Sequence, residues 1–108
     1  MEYYIKILPD GRVEMNGFGE EQNTLEWLQK QVGGHIEVAG LIYPLDKTGY
    51  VMLVNEEGKL RGLMPNFKAT RLCSADIIVG NAVLLRTKDE DFAGMDYEEA
   101  MEMMQLLS

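Results

Sequence analysis

At 108 residues, 46% hydrophobic and 26% charged, the chain is long enough to bury one core without disulfides or a structural metal and too short for two, and its composition is not that of a disordered segment. The formal net charge of -8 argues against non-specific DNA binding, which needs a net basic face for counterion release. Cys73 is the single cysteine, so no internal disulfide is expected; Met1–Leu8 is not an apolar leader and no apolar run reaches bilayer length, so a soluble protein of a reducing cytoplasm with no membrane partner is expected.

Met1 to Glu14 predicts a β-hairpin, with Tyr3, Ile5 and Ile7 alternating with Tyr4, Lys6 and Leu8, and Pro9-Asp10-Gly11 supplying the turn. Asn23 or Thr24 then caps a helix. Glu26 is placed for a capping box, Leu25, Leu28 and Val32 share the apolar face, and Gly33 or Gly34 ends the helix in the left-handed conformation. Ile36–Ile42 and Tyr50–Val54 predict strands, with Asn55-Glu56-Glu57-Gly58 as a hairpin turn in which Gly58 takes positive φ. Gly58 to Ala75 is expected to be an irregular loop, and Asp76 to Leu85 a strand pair or one strand with a glycine bulge. A second helix, about 96–107, starts at Asp96 with Glu99 three residues on, and is expected to bury Tyr97, Ala100, Met101, Met104 and Leu107. Together these predict a single compact α+β domain over residues 1–108, a mostly antiparallel sheet with two helices.

The acids are unevenly placed: seven between Thr87 and Ser108 against Lys88 give that tail -6 and leave -2 for the rest. Within the rest, GKLRGLMPNFKATRLCSA, Gly58 to Ala75, carries Lys59, Arg61, Lys68 and Arg71 and no acid. Arginines bind phosphate or carboxylate bidentately, lysines add point charge, and Gly62, Pro65 and Asn66 mark a loop with exposed N–H groups. Lys59, Arg61, Asn66, Lys68 and Arg71 are therefore the candidate ligand-binding residues, although a charge run is more often a solvated face and the overall negative charge opposes anion steering. His35, the only histidine, shares no short ligand spacing with Cys73 and has no positioned nucleophile, so neither a metal site nor a general base is expected. Cys73 lies near Arg71 but lacks a partner base, and packing is the favoured reading. Gly33-Gly34 follows a helix where a phosphate cradle precedes one. No cofactor signature and no catalytic set emerge, so binding without catalysis is expected.

The string Leu28-Gln29-x-x-Val32-Gly33-Gly34-x-Ile36-Glu37, followed by Asn55-Glu56-Glu57-Gly58-Lys59-Leu60-x-Gly62-Leu63-x-Pro65-Asn66 and Asp76-Ile77-Ile78-x-Gly80, resembles a small family of uncharacterised domains found in bacteriophages and mobile elements, chiefly of Gram-positive bacteria. The resemblance covers about residues 3–86 and stops short of the acidic tail. It implies no catalytic residues. It does imply a phage-type accessory protein acting in the host cytoplasm, of a class in which small proteins counter host defences by sequestering a nucleotide signal or blocking a host protein.

The expected function is thus capture of a small anionic, nucleotide-derived ligand by the basic segment. The alternative is a protein-interaction module in which the acidic C-terminal helix docks on a basic host protein through Tyr97, Met101 and Met103. Open edge strands predict a homo-oligomer, with Arg61 and Arg71 of neighbouring subunits lining one pocket.

Overall fold

A computed structural model describes residues 1–108. In chain order the elements are β1 (Tyr3–Ile7), β2 (Val13–Gly17), α1 (Leu25–Val32), β3 (Ile36–Ala39), β4 (Tyr50–Asn55), α2 (Phe67–Leu72), β5 (Ala82–Lys88), β6 (Asp91–Ala93) and α3 (Tyr97–Leu107). The strands form one antiparallel sheet in the order β2-β1-β5-β4-β3. The strand β6 pairs with the far end of β5 on the side that β1 occupies, and Tyr3 and Met95 exchange two backbone hydrogen bonds of 2.8 Å that join β1 to the chain after β6.

The central strands are those whose sequences are apolar at consecutive positions, because both of their faces are covered. On one face Ile5, Ile7, Met52, Val54, Ala82 and Leu84 pack with Ala69 and Leu72 of α2 and Ala100, Met103 and Leu107 of α3. On the other, Tyr4, Val51, Leu53, Val83 and Leu85 pack with Leu28 and Val32 of α1. Each such side chain contributes roughly 1.5–3 kcal/mol by leaving water, so β4 and β5 fix the sheet between its two helical layers. No helix is long and apolar enough to cross a membrane.

The hairpin and the two long helices form where the sequence predicts them. Thr24 Oγ1 accepts from Trp27 N–H at 3.2 Å, and Gly33, at φ 80°, donates to Gln29 O at 2.8 Å. With Thr24 as the cap, Glu26 is one residue short of the capping-box position, and Leu25 is 63% exposed. Trp27 packs inward instead, edge-on to Tyr4 at 5.0 Å between ring centres. At α3 the capping box is complete: Asp96 Oδ1 accepts from Glu99 N–H at 2.8 Å and Glu99 Oε1 from Asp96 N–H at 3.0 Å.

Further expectations need correction, among them the strand expected from Asp76, which begins only at Ala82. The helix α3 buries Ala100, Met103 and Leu107, leaving Tyr97 and Met101 exposed and Met104 only part-buried, since its apolar arc, running from Met103 round to Met101 opposite the Glu98, Glu102 and Gln105 side, is wide and the sheet covers only the Met103 half of it. A third, short helix, α2, occupies part of the stretch expected to be loop. Gly58 is not a left-handed turn residue; that conformation falls to Gly62 and Gly80, at φ 66° and 76°. Gly58 is a glycine for space, as a Cβ there would come 2.8 Å from Val79 Cγ2.

Candidate functional site

The cations of Gly58–Ala75 do not converge. Lys59 pairs with Asp76, the first acid beyond the basic segment. That bond, aided by one of 2.8 Å from Ile77 N–H, holds the Asp76 carboxyl below the usual carboxylate range. Arg61 lines a separate cleft of about 330 Å³ with Pro9, Val32, Gly33, Leu63 and Asn81. This cleft opens at the C-terminal end of α1, the negative end of the helix dipole, which disfavours an anion. Lys68 Nζ donates to Gly11 O at 2.8 Å, tying α2 to the β1–β2 turn. Arg71, exposed in the last turn of α2, forms no ion pair.

Asn66 is not a ligand residue; it is a core polar hub. Its side chain is completely buried, its Nδ2 donates to Ile7 O at 2.9 Å and to Gly80 O at 2.8 Å, and its Oδ1 caps α2 by accepting from Ala69 N–H at 3.1 Å. Both amide hydrogens are spent inside the fold. The sequence signal was present but misassigned, since Asn before Phe67-Lys68-Ala69 is also a helix cap. Asn55 is the other buried polar residue, donating to Val32 O at 3.1 Å and accepting from Glu57 N–H at 2.8 Å.

Met103, expected on a docking face of the C-terminal helix, is likewise core. Cys73 is half-buried, and His35 is exposed with Nδ1 3.9 Å from a Glu56 carboxylate oxygen. No group of three or more His, Cys, Asp and Glu side chains stands close enough to hold a metal ion.

A further cleft lies elsewhere, on the flank of β3, with a volume of about 260 Å³. The chain returning from α2, Cys73 to Val79, forms its outer wall, and its floor includes Ala39, Val54 and Ile78. Leu60 and Ile77, which are 88% and 60% exposed, border this cleft together with the β3 edge at Val38, whose 57% exposed side chain lies opposite Leu53 on the α1 face of the sheet. Its charged rim is Glu37, Glu56 and Asp76 against Lys59 alone. Sequence reasoning missed these apolar residues because each sits singly in a different segment. The doublet Ile77-Ile78 held a partial signal: neighbouring residues in extended chain point opposite ways, and Ile78 is the one in the core.

The sequence matches the family described as a domain of unknown function (DUF3846) over residues 4–108. The chain belongs to that family. No curated protein and no solved structure matches it. The match runs through β6 and α3, beyond the stretch that carries the resemblance, and the fold explains why that end is integral: Met95 is completely buried and α3 covers the β1–β2 side of the sheet. The positions that carry the resemblance are determinants of the fold. Besides Asn55, Gly58 and Asn66, a Cβ at Gly34 would come 3.0 Å from Asn55 Nδ2, and one at Gly80 would come 2.7 Å from Leu63 Cδ1.

Proposed function

We propose that this DUF3846 domain is a non-catalytic binding protein whose working surface is the cleft beside β3, and that its ligand is another polypeptide. The observation carrying this reading is a cleft bordered by Leu60 and Ile77, exposed apolar residues from two segments, directly beside the open backbone edge of β3 at exposed Val38, on an otherwise acidic chain. In the setting the resemblance implies, the domain is an accessory protein of a phage or mobile element that blocks a host protein. Selection from a random peptide library on the immobilised domain tests it, with binders mapped by amide chemical shifts. Binders that move Ile36–Gly40 and Cys73–Val79 are expected; binders that map only elsewhere would sink the reading.

A second reading, capture of a small anionic, nucleotide-derived signal, keeps support from Arg61 and Arg71, neither of which forms an ion pair. Calorimetry against a panel of cyclic and ADP-ribose-type nucleotides decides it. Binding that Arg61→Ala abolishes would establish that reading, and no heat at tens of micromolar protein would remove it.

A further inference from the structure

The ladder between β3 and β4 fixes where the backbone of β3 points. Glu56 N–H bonds His35 O at 2.8 Å, and the register sets Glu37 opposite Val54 and Ala39 opposite Met52. In an antiparallel ladder alternate residues turn their N–H and C=O to one partner, so Ile36, Val38 and Gly40 turn theirs to the outer edge. The chain itself occupies one end of that edge: Gly40 O accepts from Ser74 N–H at 3.0 Å, Ile42 N–H donates to Leu72 O at 2.9 Å, and Leu41 bridges Cys73. Leu72–Ser74 is thus a fragment of antiparallel strand seated on the extension of β3. Beyond Ser74 the chain swings out to form the cleft wall, leaving the edge at Ile36 and Val38 without a strand partner.

We propose that this open edge takes up an extended segment of another polypeptide as an added strand, in line with Leu72–Ser74, and that the segment alternates apolar residues with Lys or Arg. The inference rests on the reading of the cleft as a binding surface and names its partner. Backbone pairing supplies affinity and the cleft selects alternate side chains. One set enters the cavity over Ala39, Val54 and Ile78; the flanking residues meet a rim whose three acids and one lysine carry a net -2. Charge therefore points to a basic segment. It points away from a second copy, because pairing β3 with itself would bring both acidic rims together on chains of formal charge -8 each.

Fluorescence anisotropy tests this with two pools of labelled peptides of about six residues, the length of an ordinary strand. One pool alternates apolar residues with Lys or Arg, the other with Asp or Glu. The basic pool is expected to bind with Kd on the order of 10–100 μM, at least about tenfold tighter than the acidic pool and progressively weaker with salt. Val38→Pro removes an outward N–H without breaking the bonds to β4, a position at which an edge strand tolerates proline, and is expected to weaken binding about tenfold or more. Glu37→Lys, an exposed change that does not threaten folding, should weaken the basic pool and strengthen the acidic one several-fold. Equal affinity for both pools, or binding of the basic pool that neither variant alters, overturns the proposal. So does a concentration-dependent dimer that Val38→Pro dissolves, which would seat a second copy on the edge. If neither pool saturates while a library-selected binder still maps to the cleft, strand addition fails and the broader reading stands. If no selected binder maps there, both fall.

Discussion

The sheet ends in two open edges, β2 and β3, and they are finished differently. At β2 the bond from Leu8 N–H to Arg12 O fixes the ladder so that Val13, Met15 and Gly17 turn their backbone outward. Yet the Val13 and Met15 side chains are packed against the core, and charge stands at the head of the edge, where Arg12 pairs with Asp10 at 2.8 Å and reaches Glu14 at 3.8 Å. At β3 the free edge carries Ile36, packed against the core, and exposed Val38, and exposed Leu60 and Ile77 from other segments border the cleft beside it. Charged groups blunt an edge strand and exposed apolar ones leave it sticky. An unpaired backbone alone therefore does not distinguish the two; the side chains around it do.

The sharpest way to break that contrast is to remove the support of the β3 cleft. Its wall is the return from α2, and Asn66 anchors that region by bonding Ile7 O, Gly80 O and Ala69 N–H from a completely buried position. Asn66→Ala removes a cap and leaves two buried carbonyls short of a donor. It is expected to cost about 3 kcal/mol, with the loss of peptide binding at β3 preceding global unfolding. Urea denaturation measures it, and a cost under about 1 kcal/mol would contradict the role of Asn66 as a hub.

Gly80→Ala should follow, at about 2 kcal/mol. The residue sits at φ 76°, and the new Cβ would meet Leu63 Cδ1 at 2.7 Å. Leu63 is part-buried, so some relaxation is available, and the expected cost is smaller than for Asn66. A thermal midpoint unchanged within error would show that the turn has freedom the structure does not suggest.

How much of this was legible in the sequence depended on whether the signal was local. The hairpin at Pro9-Asp10-Gly11, the Thr24 and Asp96 caps and the Gly33 stop each depend on neighbours within a few residues, and each was readable. The buried half of α3 was not, because Met103, Leu107, Ala100, Met104, Tyr97 and Met101 form one wide apolar arc, and only the sheet beneath decides that the Met103 side goes in and the Met101 side stays out. The Lys59–Asp76 pair spans 17 positions and neutralises a cation that looked free in its own segment. The β3 cleft is still less local, since it exists only where Ile36–Gly40, the turn after β4 and the return from α2 meet. Nothing in any one of those segments announces it.

Matched substitutions on the two edges sharpen the comparison further. Val13→Lys on β2 forces a cation against the core and should cost about 1–2 kcal/mol, whereas Val38→Lys on β3 should alter stability by no more than about 0.5 kcal/mol. The same pair should act oppositely on binding, with Val38→Lys repelling the basic peptide pool and Val13→Lys leaving it alone wherever the variant is folded. Equal costs at the two sites would erase the distinction between a covered and an uncovered edge.

The smallest expected effect is a difference in how two exposed carboxylates, one beside each edge, are held. Both Asp10 and Asp76 lie below the ordinary carboxylate range, for different leading reasons: the Arg12 backbone N–H at Asp10, the Lys59 side chain at Asp76. A depressed folded pKa contributes stability that is fully present above the unfolded value, about 3.9, and is lost as pH falls through the folded value. Both contributions are therefore fully present and constant with pH near neutrality, and vanish on acidification. Both groups are solvent-exposed, so the stability change is slight and the carboxyl titration followed by NMR is the better readout. Lys59→Met removes the leading cause at Asp76 and should raise its pKa most of the way to the ordinary value. Arg12→Ala leaves the backbone N–H in place and should raise that of Asp10 only part of the way. If Arg12→Ala restores Asp10 fully, the side-chain ion pair and not the turn holds that carboxylate, and the charge at the head of β2 is set by the same kind of contact as the charge on the rim of β3.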